Sequence, residues 1–137
     1  MLNDTTPALS EHVRRALRHA GTIDITTTGR RTGKPRRIEI VYHVLDGRIY
    51  ISGTPRADRT RAWLLNLAAD PRFTFHLKGT ISADLPATAR IVTDEAERRR
   101  VFAYIVTVWR GQEIETMTRY SPLIEVTIDG LEPEPGA

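Results

Sequence analysis

The densest group of reactive side chains is a basic segment at residues 30–37 (RRTGKPRR), which carries five cations in eight positions. Like charges this close repel one another unless something anionic lies among them. Arginine forks grip phosphate or carboxylate oxygens two at a time, and glycine brings backbone N–H groups within reach of the same oxygens. The segment therefore indicates either a clamp for a phosphate or carboxylate, or a solvated hairpin turn whose arginines serve solubility. Charge alone does not choose between the two.

A second informative segment covers residues 52–66 (SGTPRADRTRAWLLN), where small polar residues end a strand and a helix follows. Backbone donors at Ser52, Gly53 and Thr54 can face a ring or a phosphate, and a helix N-terminus favours anions. Taken singly, Trp63 is better explained as a core anchor and Asn66 as a cap at the helix end. The segment thus adds a second candidate surface for an anionic ligand.

The familiar reactive motifs are missing from the sequence. Neither glycine-rich nucleotide fingerprint occurs, no G-x-S-x-G elbow supports serine hydrolysis, and no histidines stand at metal-ligand spacing. Cysteine is absent, which excludes disulfides, thiolate zinc sites and cysteine nucleophiles. We therefore predict no catalytic side chain and no metal site. In an enzyme with this sequence, a cofactor that the protein binds and orients would supply the reactive group.

Length and charge indicate the number of domains and bear on nucleic-acid binding. The 137 residues suit a single domain over 1–137, with flexible ends at 1–8 and 131–137. The formal charge of +3 and the pI near 9.7 raise the question of nucleic acid. Only 7% of the residues are aromatic, and they do not alternate with the basic residues as stacking platforms require. Because 17 acidic residues also offset most of the positive charge, we expect no nucleic-acid partner.

No apolar stretch approaches the roughly 20 residues needed to span a bilayer. The first eleven residues carry no basic-then-apolar signal pattern. We therefore expect a cytoplasmic location and no stable membrane insertion.

The elements that must hold these segments alternate between short helices and strands. Ser10 can cap a first helix that ends at Gly21, and Asp46-Gly47 is a strong hairpin turn. Pro86 suggests an edge strand or a bulge. The hydrophobic patterns predict strands over 22–28, 37–45, 48–52, 72–78, 83–93 and 122–128, and further helices over 57–69 and 95–109. The fold class is α+β, a small antiparallel barrel of about six strands with short flanking helices.

Three motifs in this order resemble the deazaflavin-dependent nitroreductase family, a branch of the split-barrel flavin-binding proteins related to pyridoxamine phosphate oxidase. They are TTTGRRTGKPRR at residues 26–37, DGRIYISG at 46–53 and RAWLLNLAADPRFTF at 61–75. The match in order and spacing covers roughly residues 21–78, and a weaker match continues to Ile128. The resemblance implies a small antiparallel split β-barrel.

The resemblance also implies binding of coenzyme F-420, an 8-hydroxy-5-deazaflavin with a phosphodiester and an oligoglutamate tail. The activity would be hydride transfer from the reduced deazaflavin to a quinone, a nitroaromatic or an activated enone. By motif position, the implied cofactor-binding residues are Arg31, Lys34 and Arg36 for the phosphate and tail, with Ser52, Gly53, Thr54, Arg59, Trp63 and Asn66 along the groove. Tyr42, Tyr104, Trp109 and Tyr120 are the candidate substrate-pocket residues.

The sequence departs from the family pattern in two places. Leu64 stands where many relatives have tyrosine, and residues 111–117 lack the tyrosines of members that reduce nitroimidazoles. These departures bear on the substrate more than on the fold. The alternatives are an FMN-dependent split-barrel oxidoreductase and a non-catalytic module that binds a flavin or haem. The expected partners are a small-molecule electron acceptor and, as a candidate, a second copy of the chain.

Overall fold

The computed structural model describes residues 9–58 and 60–131. Six antiparallel strands close into a barrel in the order β1-β2-β3-β6-β5-β4. The strands are β1 (Gly21–Thr28), β2 (Pro35–Leu45), β3 (Arg48–Ser52), β4 (Arg72–Leu77), β5 (Ala83–Ile91) and β6 (Leu123–Ile128). The helices are α1 (Glu11–Ala16), α2 (Ala62–Ala69), α3 (Glu95–Val108) and α4 (Ile114–Tyr120). The predicted α+β barrel of six strands with short helices is confirmed.

Strict alternation along the strands places one apolar face inside the barrel. On β1, Ile23, Ile25 and Thr27 are buried, whereas Asp24 and Thr26 point to the outer face. The same inward face recurs on the other strands and forms one core cluster that includes the fully buried Phe75.

Local turn and cap chemistry is as the sequence predicts. Asp46 and Gly47 both have positive φ, 54° and 73°, which is the geometry of a two-residue hairpin between β2 and β3. The Ser10 side chain accepts a hydrogen bond from the N–H of Val13 and caps α1. The Asp94 carboxylate does the same for the N–H of Glu97 at the start of α3.

A second apolar layer lies outside the barrel, where α3 and α4 cover the outward face of β3. Tyr50, Phe102 and Met117 are fully buried in this layer. The half-buried Arg98 guanidinium donates to the carbonyls of Thr118 at 2.9 Å and Ser121 at 2.6 Å, which ties α3 to the end of α4. Burial among these groups lowers the pKa of Arg98.

Four expectations about elements need correction. The first helix, expected to end at Gly21, ends at Ala16, and Gly21 begins β1. The helix expected over 57–69 begins only at Ala62, and the Arg61 guanidinium just before it binds the Thr54 carbonyl and hydroxyl. No helix was expected at 114–120, yet α4 forms there because its apolar side packs on α3. Pro86 lies on a strand paired on both sides, not on an edge; it sits at the end of the β6 ladder, where its carbonyl accepts from the N–H of Asp129.

Candidate functional site

The basic segment forms a tight loop between β1 and β2. The N–H of Gly29 donates to the Lys34 carbonyl, and the N–H of Gly33 donates to the Gly29 carbonyl, both at 2.8 Å. Gly33 has φ of 73°, which an L side chain rarely adopts. A Cβ added to Gly29 would lie 3.0 Å from Thr32 Oγ1 and 3.1 Å from the Lys34 carbonyl. The two glycines therefore make the loop possible at this length.

Asn66 on α2 anchors the loop to the barrel. Its Oδ1 accepts from the backbone N–H of Arg30 at 3.1 Å and from Arg30 Nη1 at 3.0 Å. Its Nδ2 donates to Thr27 Oγ1 at 3.1 Å. Asn66 is 4% exposed and its bond to Thr27 is buried, whereas its bonds to the exposed Arg30 are only partly shielded from water. The expectation of a helix-end cap is wrong, since the side chain bonds outside its own helix.

A cavity of about 370 Å³ opens between this loop and α2. Its apolar lining includes Ala62, Ile38 and Trp63, which is 8% exposed and packs in the core cluster as its predicted role of core anchor requires. Its charged lining includes Arg31 and Arg36. The remaining lining residues are Thr27, Gly29, Arg30, Thr32 and Asn66. The structure thus brings Arg31, Arg36, Trp63 and Asn66 together from two motifs that are about 30 residues apart in the sequence.

The cations of the loop differ from most other arginines in lacking carboxylate partners. Within residues 9–58 and 60–131, the side chains of Arg31, Lys34 and Arg36 form no hydrogen bond or ion pair. Strand and helix arginines are paired instead: Arg37 with Asp24, Arg48 with Glu125, Arg72 with Asp129, Arg90 with Glu97 and Glu125, and Arg99 with Glu115. Since neighbouring carboxylates satisfy those arginines, the loop is a place where cations remain available to a ligand.

Lys34 does not line the cavity; only its backbone takes part in the loop, through the Gly29 bond and an N–H bond to Thr32 Oγ1 at 3.2 Å. Arg30, which sequence reasoning did not single out, does line it. The signal for Arg30 was its place next to Gly29, where the strand must turn toward α2. Arg59, a further predicted cofactor residue, lies outside the described residues.

A second cavity, of about 260 Å³, lies on the other side of the start of α2. Arg61 and Leu64 line it, whereas Ala62 and Trp63 face the first cavity. Further lining residues are Arg56, Ala57, Asp58, Thr60, Arg119, Tyr120, Ser121 and Pro122. Helix α2 therefore separates two cavities that both carry arginine.

The three predicted backbone donors lie beside this second cavity. The Ser52 hydroxyl is buried and donates to the Pro122 carbonyl at 2.7 Å, so it bonds within the protein. Gly53 lies close to Pro122 and to the Arg61 guanidinium, with a built Cβ at 3.3 and 3.5 Å. Thr54 receives two bonds from Arg61 Nη2, at 2.7 Å to its carbonyl and 2.6 Å to its hydroxyl. These residues therefore contact Pro122 and Arg61, which line the cavity, but do not line it themselves.

The four candidate substrate residues do not line one pocket within the described structure. Tyr42 is buried at the opposite end of β1 from the basic loop, and its hydroxyl donates to the Ala16 carbonyl at 2.9 Å. Burial raises the pKa of Tyr42. Tyr104 and Trp109 pack into the layer under α3 and α4, where Trp109 stacks on His43 at 6.4 Å. Tyr120, 41% exposed, is the member of the four that lines the second cavity.

No helix within residues 9–58 and 60–131 is both long and apolar enough to cross a bilayer. No group of three or more histidine and acidic side chains there could hold a metal ion.

The sequence and the fold are both similar to those of known proteins. A family model described as F-420H2-dependent quinone reductase matches residues 6–129. A solved F-420H2-dependent reductase is similar at 24% identity, with 77% of this chain and 93% of that chain covered and a TM-score of 0.59. A structure described as a domain-swapped dimer shares 20% identity, covering 85% of this chain and 95% of that one, with a TM-score of 0.60. A candidate pyridoxamine 5'-phosphate oxidase from Listeria innocua shares 13% identity, covering 88% and 95%, with a TM-score of 0.52. At these identities the likeness is one of fold.

Proposed function

The chain belongs to the F-420H2-dependent quinone reductase family, and from that premise we propose that it transfers a hydride from reduced F-420 to a quinone, a nitroaromatic or an activated enone. The family resemblance stated from the motifs is confirmed, as is the general class of F-420-dependent reductase. The family match lends no support to the FMN alternative. The acceptor and the residues of the site remain part of the proposal.

The observation that carries the proposal is the first cavity. F-420 combines a flat ring with a phosphodiester and a carboxylate-rich tail, so it needs an apolar wall beside unpaired cations. Trp63 and Ala62 supply the wall, and Arg31 and Arg36 supply cations that no carboxylate neutralises within the described residues. Lys34 lies on the same loop and adds charge near the tail. The residues present therefore fit the cofactor.

Each element of the chain has a distinct task in this proposal. Arg31 and Arg36 bind the anionic groups with their guanidinium forks. Asn66 holds the loop in place through Arg30, and Gly29 and Gly33 allow the loop to close. When bound, reduced F-420 supplies the hydride. The protein accordingly contributes binding, orientation and electrostatics.

The second cavity is proposed as the place where the acceptor meets the deazaflavin ring. The phosphodiester and tail would lie in the first cavity and the cofactor would pass the start of α2, because hydride transfer needs the reacting atoms about 3–3.5 Å apart. Tyr120 presents a partly exposed phenol there, and Arg56 and Arg119 line the same space. The Tyr120 hydroxyl can donate a hydrogen bond to an acceptor oxygen and can supply a proton at its Oη. Leu64, at the position where many relatives have tyrosine, leaves an apolar wall in this cavity.

The test is a fluorescence titration of the purified protein with oxidised F-420, with FMN in parallel. Micromolar or tighter binding of F-420 and none of FMN is expected. Oxidation of reduced F-420 with menadione or a nitroaromatic then distinguishes an enzyme from a storage module, which would bind F-420 without acceptor-dependent turnover. Preference for FMN, or binding of neither, would contradict the proposal.

We also propose a homodimer. The structural neighbour described as a domain-swapped dimer supports pairing of this fold. Native mass spectrometry at micromolar concentration should show twice the chain mass of 15.5 kDa. A monomer at all concentrations would contradict it.

A further inference from the structure

Three side chains on the outer face of the barrel form a hydrogen-bonded relay that the proposed function does not use. Asp84 Oδ1 lies 2.7 Å from His76 Nδ1, and His76 Nε2 lies 2.7 Å from Thr26 Oγ1. The residues come from three neighbouring strands, β5, β4 and β1. This is the connectivity of a carboxylate, an imidazole and a hydroxyl in a nucleophilic triad, which is recognised by geometry and roles whatever the fold.

Strand register explains why the three meet. Asp84 stands directly opposite His76 in the β4–β5 pair, so both side chains point to the same face. Thr26 stands opposite Thr74 in the β1–β4 pair, one diagonal step from His76. His76 is 7% exposed and bonded at both ring nitrogens, so its ring is held in one orientation.

The carboxylate sets the tautomer of the ring. The bond to His76 holds the pKa of Asp84 below its usual value, so Asp84 is ionised at neutral pH. An ionised carboxylate only accepts, so Nδ1 carries the hydrogen of the neutral imidazole and Nε2 is left as the acceptor. The Thr26 hydroxyl therefore donates to Nε2, which is the arrangement a general base needs toward a nucleophile.

A cation stands beside the hydroxyl. Arg37 is directly opposite Thr26 in the β1–β2 pair, and its charge acts on Asp84 as well. Its Nε donates to Asp24 at 2.9 Å, and no further bond of its guanidinium to a residue within 9–58 and 60–131 is present. The side chain is 55% exposed, so its terminal nitrogens can meet an oxyanion that develops on an acyl group at Thr26.

We propose that Thr26 is an acyl-accepting nucleophile, with His76 as general base, Asp84 as the residue that orients it and Arg37 as the oxyanion donor. The ligand class is small activated esters of carboxylic acids, which would approach from the side of the exposed Asp84 and Arg37 side chains. The Thr26 Oγ1–carbonyl carbon bond forms as the bond to the leaving alcohol breaks. The hydroxyl proton passes to His76 Nε2 and then to the leaving oxygen. Water hydrolyses the Thr26 ester by the same route and regenerates the hydroxyl.

The experiment uses the full chain and p-nitrophenyl acetate. Rapid release of p-nitrophenolate and an acetyl ester on the peptide that contains Thr26 are expected, with the ester cleaved by hydroxylamine. Thr26→Val should abolish this labelling. Asp84→Asn should slow it by about 10-fold or more, because the asparagine amide can donate to Nδ1 and leave the hydrogen on Nε2.

Thr74→Val is the matched control, since Thr74 shares the face and the strand pair but has no bond to His76. It should label at the wild-type rate, and melting temperatures of all variants check folding. The Asp84 side chain is 77% exposed, so we expect Asp84→Asn to fold normally. This variant therefore still tests the proposal if Thr26→Val folds poorly. Acetyl groups found only as amides on Lys34 and Lys78, or equal loss of labelling in the Thr26 and Thr74 variants, would overturn the proposal.

Discussion

Replacing Asn66 with leucine tests how the basic loop is held against α2. Leucine fills a similar volume but can neither accept from Arg30 nor donate to Thr27, so three hydrogen bonds are lost at once. A net hydrogen bond contributes about 0.5–1.5 kcal/mol, and a polar group left unpaired in a buried place costs about 1–3 kcal/mol. Arg30 is exposed and its N–H can bond to water, so the lower ends of both energy ranges apply to the two bonds with Arg30.

These terms give a loss of roughly 2 kcal/mol in the free energy of unfolding, or about 5–10 °C in melting temperature for a domain of this size. The loop that carries Arg31 and Arg36 also loses its anchor. We therefore expect the Kd for F-420 to rise by about 10-fold, equivalent to about 1.4 kcal/mol, although Asn66 need not touch the ligand.

The assay is calorimetric or fluorescence titration with F-420, together with thermal unfolding of the same preparation. Leu65→Ala on the same helix is the matched control, because Leu65 is 38% exposed and does not line the first cavity. It should change neither quantity by much. A fall in melting temperature with an unchanged Kd would refute the reasoning, since the anchor would then stabilise the fold without positioning the cations.

Three further predictions follow from the same contacts. Lys34→Ala combined with Arg36→Ala should weaken F-420 binding by about 10-fold to 100-fold with the melting temperature nearly unchanged, because neither side chain has a partner in the described protein; an equal loss of stability would show a structural loop, and Arg48→Ala serves as the control for charge. Tyr120→Phe should lower kcat with menadione but leave the Kd for F-420 unaltered; a changed Kd would move Tyr120 to the cofactor site. The bonds from Lys78 and Arg37 hold the pKa of Asp24 below its usual 3.8, so its stabilising effect is present above that pH and is lost as pH falls through the lower folded value. Asp24→Asn should therefore lower the melting temperature at pH about 7 but not at pH about 2; equal shifts at both would contradict an ionic origin.

Much of the fold could be predicted from residues near one another in the chain. Ser10 and Asp94 cap their helices, and Asp46-Gly47 turns between β2 and β3, because each satisfies backbone groups a few positions away. The strands follow from alternation alone, since one face of each must be buried. The basic loop could also be predicted locally, because its two glycines and five cations all lie within residues 29–37. Helix α4 was missed because its stability comes from α3, which lies elsewhere in the sequence.

The candidate site depended on the closure and register of the barrel. The sequence by itself determined that a basic loop follows β1 and that a W-x-x-N helix follows β3. Only the tertiary structure decided that Asn66 bonds Arg30 and that Ser52 bonds Pro122. It also decided that Tyr42 and Tyr120 do not line the same pocket within the described residues. It also brought the side chains of Thr26 and His76, which are 50 positions apart in the sequence, within hydrogen-bond distance. The physical reason is that a hydrogen bond needs its atoms within about 3 Å, and local pattern carries no information on which strands become neighbours.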